Sequence, residues 1–474
     1  MDNSSQVRPT LKVLTEEQIR QVHAYSLRIL SEIGVRVDSS RAHQVFSRAK
    51  GVKVDGDRIR IQPELVERAI NSTPQSIDIF TRTGEKAFCL GADSTRFGVG
   101  VTNLFYQMPG TDQVIPFTRH HMGIGARLGQ TLESFDMVST IGILRDVPAG
   151  QEDLVGTLEM SANTTKPLVV LVSDTRQFVQ VLDLLEHLFG DLTQKPFILP
   201  YFNPVTPLVI NVDTGEKMLD AIELGLPVIF SNYGMAGTTT PITPSGSLAL
   251  LNAELLSGLV LCQLAKPGTG VILGSQPAFF DMKRLIDFYD PMTILFNSAC
   301  AEMMDFYQIP HAGTSGSGAG WGMDLPASGI LWLNHLTACI GKTGLAPFVG
   351  GALGSKAFSP TSVVYANDII LQARRFANGF ILDDLAVALD EIASMGPGGN
   401  FLTSRSTIKN YKQAYFESKV FPQLSLEKWQ DLRQPKAEKS LVEKTLQLIT
   451  DGRQPEDHDE LIKRGESYIN QLIS

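Results

Sequence analysis

From about residue 118 the chain repeats one phrase, a short and nearly continuous apolar run followed by a segment of helical periodicity. The runs lie at 135–141, 166–174, 197–203, 227–234, 270–276, the start of 309–322, and 346–351. The helical patterns that follow them lie at 151–163, 177–189, 216–224, 245–265, 293–307, 326–343 and 361–376. Strands with no polar alternation belong to a parallel sheet covered on both faces, and strands alternating with crossover-length helices make an α/β architecture. Seven such units, with a short eighth at 379–382, predict a (β/α)8 TIM barrel. An open doubly wound sheet gives the same local pattern and stands as the alternative. The barrel is favoured because no Gly-x-Gly-x-x-Gly follows the first strand and because most strand ends carry a polar or aromatic residue.

The flanks read differently. Residues 1–117 are expected to form an N-terminal α+β lobe, with helices near 15–34, 40–49 and 63–71. A hairpin should turn at Asp55-Gly56, and 77–80, 97–101 and 104–107 should form a small β meander. The barrel is assigned to 118–402, and a charged C-terminal helical extension to 403–474, with helices near 426–432, 438–451 and 457–472. A formal net charge of -9 argues against a nucleic-acid-binding surface. The most apolar run, 248–264, is broken by Asn252, Glu254 and Gln263, which argues against a membrane span. The Met1-Asp2-Asn3-Ser4-Ser5 start lacks the apolar core of an export signal, so a cytoplasmic location is expected. Cys89, Cys262, Cys300 and Cys339 have no metal-ligand spacing and read as free thiols.

Ligands of such a barrel meet the C-terminal ends of the strands. Those ends collect Tyr201, Asn203, Asn232, Tyr233, Gln276, His311 and Phe348, with Phe358, Phe105 and Tyr106 at the lip. The stretch 309–322 should leave a short strand as a bare backbone loop, since its glycines forbid a helix. This rim is rich in aromatics and amides and poor in carboxylates and lysines. It has no His-Glu-x-x-His, no Gly-x-Ser-x-Gly elbow, no strand-end lysine for a Schiff base and no carboxylate pair. No bound metal is expected, and no residue is assigned a proton-transfer role. A quaternary ammonium has no N–H to donate and is held by aromatic faces through cation–π attraction, which suits this inventory. Any one of the aromatics taken alone reads more readily as barrel packing than as cage wall.

Several motifs give the chain a family likeness. They are Ser31-Glu32-Ile33-Gly34-Val35, Gly98-Val99-Gly100-Val101-Thr102-Asn103, Thr164-Thr165-Lys166-Pro167, the glycine-rich 309–322 and Gly396-Pro397-Gly398-Gly399-Asn400-Phe401-Leu402. With them the sequence resembles the trimethylamine methyltransferase family of corrinoid-dependent methyltransferases, in its members without pyrrolysine. The resemblance implies a TIM barrel and transfer of a methyl group to a Co(I) corrinoid (cobalamin) carried by a separate corrinoid protein. The family's trimethylamine enzymes carry pyrrolysine at a strand end that corresponds to 311–315, where this chain has small residues. The implied substrate is therefore a quaternary amine, glycine betaine first, with proline betaine, carnitine and choline as alternatives and a non-catalytic betaine-binding protein as another. For the betaine carboxylate, the backbone around Gly313, the His311 side chain, and more distantly Lys356 or Arg405 are candidate donors. No Asp-x-His-x-x-Gly corrinoid motif is present, so the corrinoid is expected on the partner; the C-terminal helices are candidates for a homodimer contact.

Overall fold

The computed structural model describes residues 5–473 apart from 92, 93, 112, 289, 315, 317 and 319. Its centre is a closed barrel of eight parallel strands, each followed by a helix. The first half comprises β1 (Arg96–Val99), α1 (Arg119–Thr131), β2 (Met137–Ser139), α2 (Glu152–Asn163), β3 (Leu168–Val170), α3 (Thr175–Phe189), β4 (Ile198–Phe202) and α4 (Val212–Leu224). The second comprises β5 (Val228–Ala236), α5 (Pro244–Ala265), β6 (Val271–Asp281), α6 (Pro291–Tyr307), β7 (His311–Ala312), α7 (Leu325–Ile340), β8 (Leu345–Val349) and α8 (Pro360–Asn378). Closure is made where β8 meets β1, with Leu345 opposite Arg96 and Ala346 opposite Phe97. Helix starts follow local chemistry: the Asp174, Asn211, Asp290, Asp324 and Ser359 side chains each accept the N–H three residues on.

Two strand assignments from the sequence are corrected. Residues 97–101, expected in an N-terminal meander, contribute β1 of the barrel, paired in parallel with β2 and β8. The strand is four residues long and contains Gly98, where a Cβ would lie 2.7 Å from Pro347 O, so it shows no apolar run. The expected eighth strand at 379–382 is not in the barrel. Phe380–Ile381 pairs antiparallel with Gln6–Val7 and stays exposed.

Alternation along the strands separates two cores. Met137, Val169, Leu199, Ile229, Ile272 and Leu345 fill the barrel interior, while Val138, Leu168, Ile198, Phe230 and Leu273 pack outward against the helices. A hairpin, Ile77–Phe80 with Lys86–Leu90, plugs the N-terminal end of the barrel through Ile77, Ile79, Phe88 and Leu90. Its position is pinned where Phe80 N–H donates to Pro196 O (3.0 Å) and Arg82 N–H to Thr165 O (3.0 Å). With one end plugged, a ligand meets the barrel interior at the C-terminal end.

The N-terminal segment bears the expected capped helix Glu16–Arg28 and the hairpin Val52–Asp55 with Arg58–Ile61. It packs over α5, where Ser26 Oγ donates to Ala249 O (3.0 Å) and Asn252 Nδ2 to Ser26 Oγ (2.8 Å). That cover explains why α5 is apolar on all sides: 83% of its most apolar window is buried. At the other end of the chain, Ala437–Asp451 and His458–Ile473 lie on the barrel helices through Leu441, Leu461 and Ile469. Arg82 grips Asp457 through two 2.6 Å hydrogen bonds, tying the last helix to the plug.

Candidate active site

The open end is walled by residues that continue the inward faces of the strands. On β4, Leu199 and Tyr201 point inward, and on β8 so does Phe348. Phe348 owes its direction to a one-residue bulge: Ala346 pairs with Phe97 and Val349 with Val99, so Pro347 and Phe348 together oppose Gly98. The result is an aromatic corner, with the Tyr201 and Phe348 rings edge to face at 5.1 Å and 77°. Burial pushes the Tyr201 phenol up to about 12, so it stays protonated. Ser231 sits on the same inward face of β5, and room for it comes from Gly274, whose Cβ would lie 2.5 Å from Ser231 Oγ.

β5 and β6 outrun the other strands, at nine and eleven residues. They continue side by side through Tyr233 opposite Gln276 to Ala236 opposite Phe279. The chain then doubles back as Ile286–Phe288, antiparallel to β6, with Asp287 opposite Phe280. Tyr233 Oη donates to the Asp287 carboxylate. Asn203 lies at the rim and donates from Nδ2 to Ser231 O (2.7 Å). Tyr201, Asn203, Tyr233, Gln276 and Phe348 are therefore brought to one end of the barrel, with Asp287 beside them.

Asp287 was missed by reading strand ends alone, because it enters from a returning strand. The signal was present as a turn sequence, Asp281-Met282-Lys283-Arg284, before a second short run. In the fold, the Asp281 carboxylate accepts from the N–H groups of Lys283 (2.8 Å) and Arg284 (3.1 Å) and shapes that turn.

Other candidates are turned elsewhere. Asn232 falls on the outward face of β5, where Nδ2 donates to Leu251 O (2.9 Å) and Oδ1 accepts from Ser275 Oγ (2.9 Å). His311 pairs with the outward-facing Leu273, and burial pulls its imidazole down to about 3, so the ring is neutral. Gly313 shares that outer face: a Cβ there would lie 2.8 Å from Asn297 Oδ1 on α6. Its N–H is already committed to Leu345 O at 2.8 Å.

The lip residues belong to a small sheet of Gly351–Ala352, Ala357–Phe358, Phe105–Gln107 and Val114–Pro116. Tyr106 is buried and stacks on His121 at 4.0 Å, and Phe358 meets Phe117 edge to face at 6.4 Å. Those two rings form the lip's own core, and Phe105 is half-exposed. The glycine-rich stretch runs beside this sheet as main chain: Gly318 N–H donates to Gly351 O (3.0 Å) and Leu353 N–H to Gly320 O (3.1 Å). Gly316, at φ 80°, lies where a Cβ would be 2.4 Å from the His335 ring, so only glycine fits. Ser315, Ser317 and Ala319 of this stretch lie outside the described residues.

The barrel mouth thus offers aromatic faces, amides, a hydroxyl and one carboxylate. Among the described residues, no three His, Cys, Asp or Glu side chains converge as metal ligands.

Comparison with known proteins adds to this geometry. A glycine betaine methyltransferase from Desulfitobacterium hafniense (strain Y51) is 28% identical over 434 residues, covering 90% of this chain and 89% of the relative. A trimethylamine methyltransferase MttB from Methanosarcina thermophila is 26% identical, covering 84% of each chain. Among solved structures, the monomethylamine methyltransferase MtmB of Methanosarcina barkeri superposes with a TM-score of 0.53 at 10% identity, covering 93% of this chain and 88% of that one, which shows a shared fold. The family model described as trimethylamine methyltransferase (MTTB) matches residues 2–471. Barrel, aromatic mouth and a match along nearly the whole length agree, and the chain belongs to the trimethylamine methyltransferase (MTTB) family of methyltransferases.

Proposed function

We propose that the protein removes a methyl group from a quaternary amine, glycine betaine first, and passes it to the Co(I) corrinoid of a separate corrinoid protein, releasing dimethylglycine. The observation that carries this reading is the Tyr201–Phe348 corner at the open end of the barrel, with Tyr233 beside it. Aromatic faces attract a trimethylammonium group that offers no hydrogen bond, each contributing about 0.5–2 kcal/mol. The relative named a glycine betaine methyltransferase supports the choice of betaine.

The corrinoid, when its carrier protein docks, supplies the nucleophilic Co(I) centre that accepts the methyl group. The chain's own residues position and desolvate the substrate. The electrons of the broken C–N bond stay on nitrogen, so the amine leaves neutral and needs no proton from the protein. We take the Gln276 amide, opposite Tyr233, as the candidate for the substrate carboxylate, a role that the outward-facing His311 and the committed Gly313 N–H do not fill. The exposed apolar Leu285 and Met282 on the β6 return turn, and Trp321 and Leu325 at the entry to α7, suit a docking partner.

Asp287 favours a second reading. A carboxylate beside the aromatic mouth attracts a cation and repels an anionic tail, which suits choline better than glycine betaine. Carnitine and proline betaine carry the same liability as glycine betaine. Incubating the full chain with Co(I) cobalamin and each amine, and following loss of the Co(I) absorption, tests the reading. Methylation with one quaternary amine and none with trimethylamine supports it. Saturable amine binding without methylation, even with a cognate corrinoid protein, would leave a binding protein instead.

A homodimer completes the proposal. After α8, residues 379–416 stand off the barrel with Phe380, Leu385, Leu389, Phe401, Leu402 and Ile408 exposed. Together these side chains present apolar surface of the kind a second copy would cover. Asp383, Asp384, Asp390 and Glu391 occupy the first half of this arm, and Arg405, Lys409 and Lys412 the second. A two-fold contact would set each half against the opposite charge of a second copy.

A further inference from the structure

A cavity of about 780 Å3 lies away from the mouth, at the N-terminal end of the barrel. Its walls include the starts of β1, β7 and β8, and the N-terminal strap at residues 8–11. The strap is held across it by Leu11 N–H donating to Ile340 O (2.8 Å) and by the pairing of Gln6–Val7 with Phe380–Ile381.

The lining is basic in a chain that is acidic overall. Arg96 and Arg374 share a single carboxylate, Asp136, at 3.1 and 2.6 Å. Both guanidiniums lie over rings, Arg96 over Phe88 at 5.3 Å and Arg374 over Phe97 at 5.2 Å, so their planes are fixed in advance. Among the described residues, Arg96 Nε is buried without a hydrogen-bond partner. Lys342 is matched by Asp305 at 3.2 Å, whereas Arg8 on the strap has no ion pair among the described residues. Among the described residues, positive charge is left over.

Two preset guanidiniums and a third on the strap form the donor set that recognises a small organic oxyanion. The His311 ring, sealed in the layer against Gly313 and Asn297, takes no part.

We propose that this cavity is a binding site for a small dianion bearing phosphate or carboxylate groups. Arg96 and Arg374 form its floor and Arg8 its cover. The site is separate from the mouth, and the proposal does not rest on the assignment of the methyl donor. A ligand held there would tie the strap to the barrel and stabilise the folded chain by mass action.

Calorimetric titration of the full chain tests it, with inorganic phosphate and with succinate as probes and potassium chloride holding ionic strength constant. The expected result is saturable binding of a dianion that chloride does not reproduce. Arg96→Met should weaken it about tenfold, and Arg8→Ala, an exposed substitution that leaves the fold intact, about threefold. A thermal scan of each variant identifies any that fails to fold, in which case Arg8→Ala decides. Phosphate joined and succinate not would assign a phosphate ligand; the reverse, a dicarboxylate. Heats no different from chloride, or an isotherm that survives the substitutions, overturn the proposal.

Discussion

Tyr201 and Phe348 meet edge to face 5.1 Å apart although they lie on β4 and β8, four strands apart around the barrel. They meet because the bulge at Pro347 turns Phe348 inward, where regular alternation from Leu345 would have turned it toward the helices. Substrate recognition in this reading depends on that one extra residue.

Replacing either ring by leucine should weaken binding of the cognate quaternary amine by about 1–2 kcal/mol while keeping most of the buried apolar volume. Calorimetric titration of the amine measures this. Unchanged affinity in both Tyr201→Leu and Phe348→Leu would remove the corner from the cation site.

Asp287→Asn should shift selectivity toward zwitterions. The ratio of kcat/KM for glycine betaine to that for choline is expected to rise roughly threefold to tenfold, and the shift should shrink with added salt. Steady-state methyl transfer at two salt concentrations reads both effects. A ratio that does not move would show that Asp287 serves only to hold Tyr233.

Gly313→Val should destabilise the fold by about 2 kcal/mol through overpacking rather than block the mouth. The added side chain would enter the layer between β7 and α6, against Asn297 and the His311 ring. A lowered Tm with little change in KM is the expected pair of results. A raised KM at unchanged Tm would place Gly313 in the pocket after all.

Glu254 makes stability fall with pH. Burial lifts its carboxyl from the usual 4.5 to about 7, while hydrogen bonds from Thr206 and the Leu208 N–H pull it the other way. The unfolded chain releases this proton near 4.5 and the folded chain only near 7. The loss of stability therefore accumulates between those values and reaches on the order of 3 kcal/mol above them. Denaturation midpoints from pH 4 to 8 should show this decline, and Glu254→Gln should flatten it. Parallel profiles for the two proteins would assign the pH dependence to other groups.

Leu385→Asp combined with Leu389→Asp should convert a dimer into a monomer, since each places a charge in the apolar arm. Light scattering after size exclusion gives the mass directly. A monomeric unaltered chain would show that the arm is covered in another way.

The sequence was most legible where one physical rule dominated. Runs such as 168–172 and 227–230 have no polar face because both sides of a parallel strand are buried, so they stand out in a single chain. The caps at Asp174 and Asp383 rest on the same kind of local rule, since each carboxylate accepts from an N–H three residues on. Arg96–Val99 was not legible, since its partners lie on β2 and β8 and its glycine is required by the neighbouring Pro347 backbone.

The sequence by itself determined the barrel class, seven of its strand–helix units, and the gathering of aromatics and amides at strand ends. Only the tertiary structure decided which of those residues share a space. A strand places neighbours on opposite faces, so Tyr233 looks inward and Asn232 outward although they are adjacent. Which face is the inside, where a bulge reverses it at Phe348, and which distant strand brings Asp287 to Tyr233 are set by closure of the barrel. Those relations depend on pairings between strands, which no local run of residues contains.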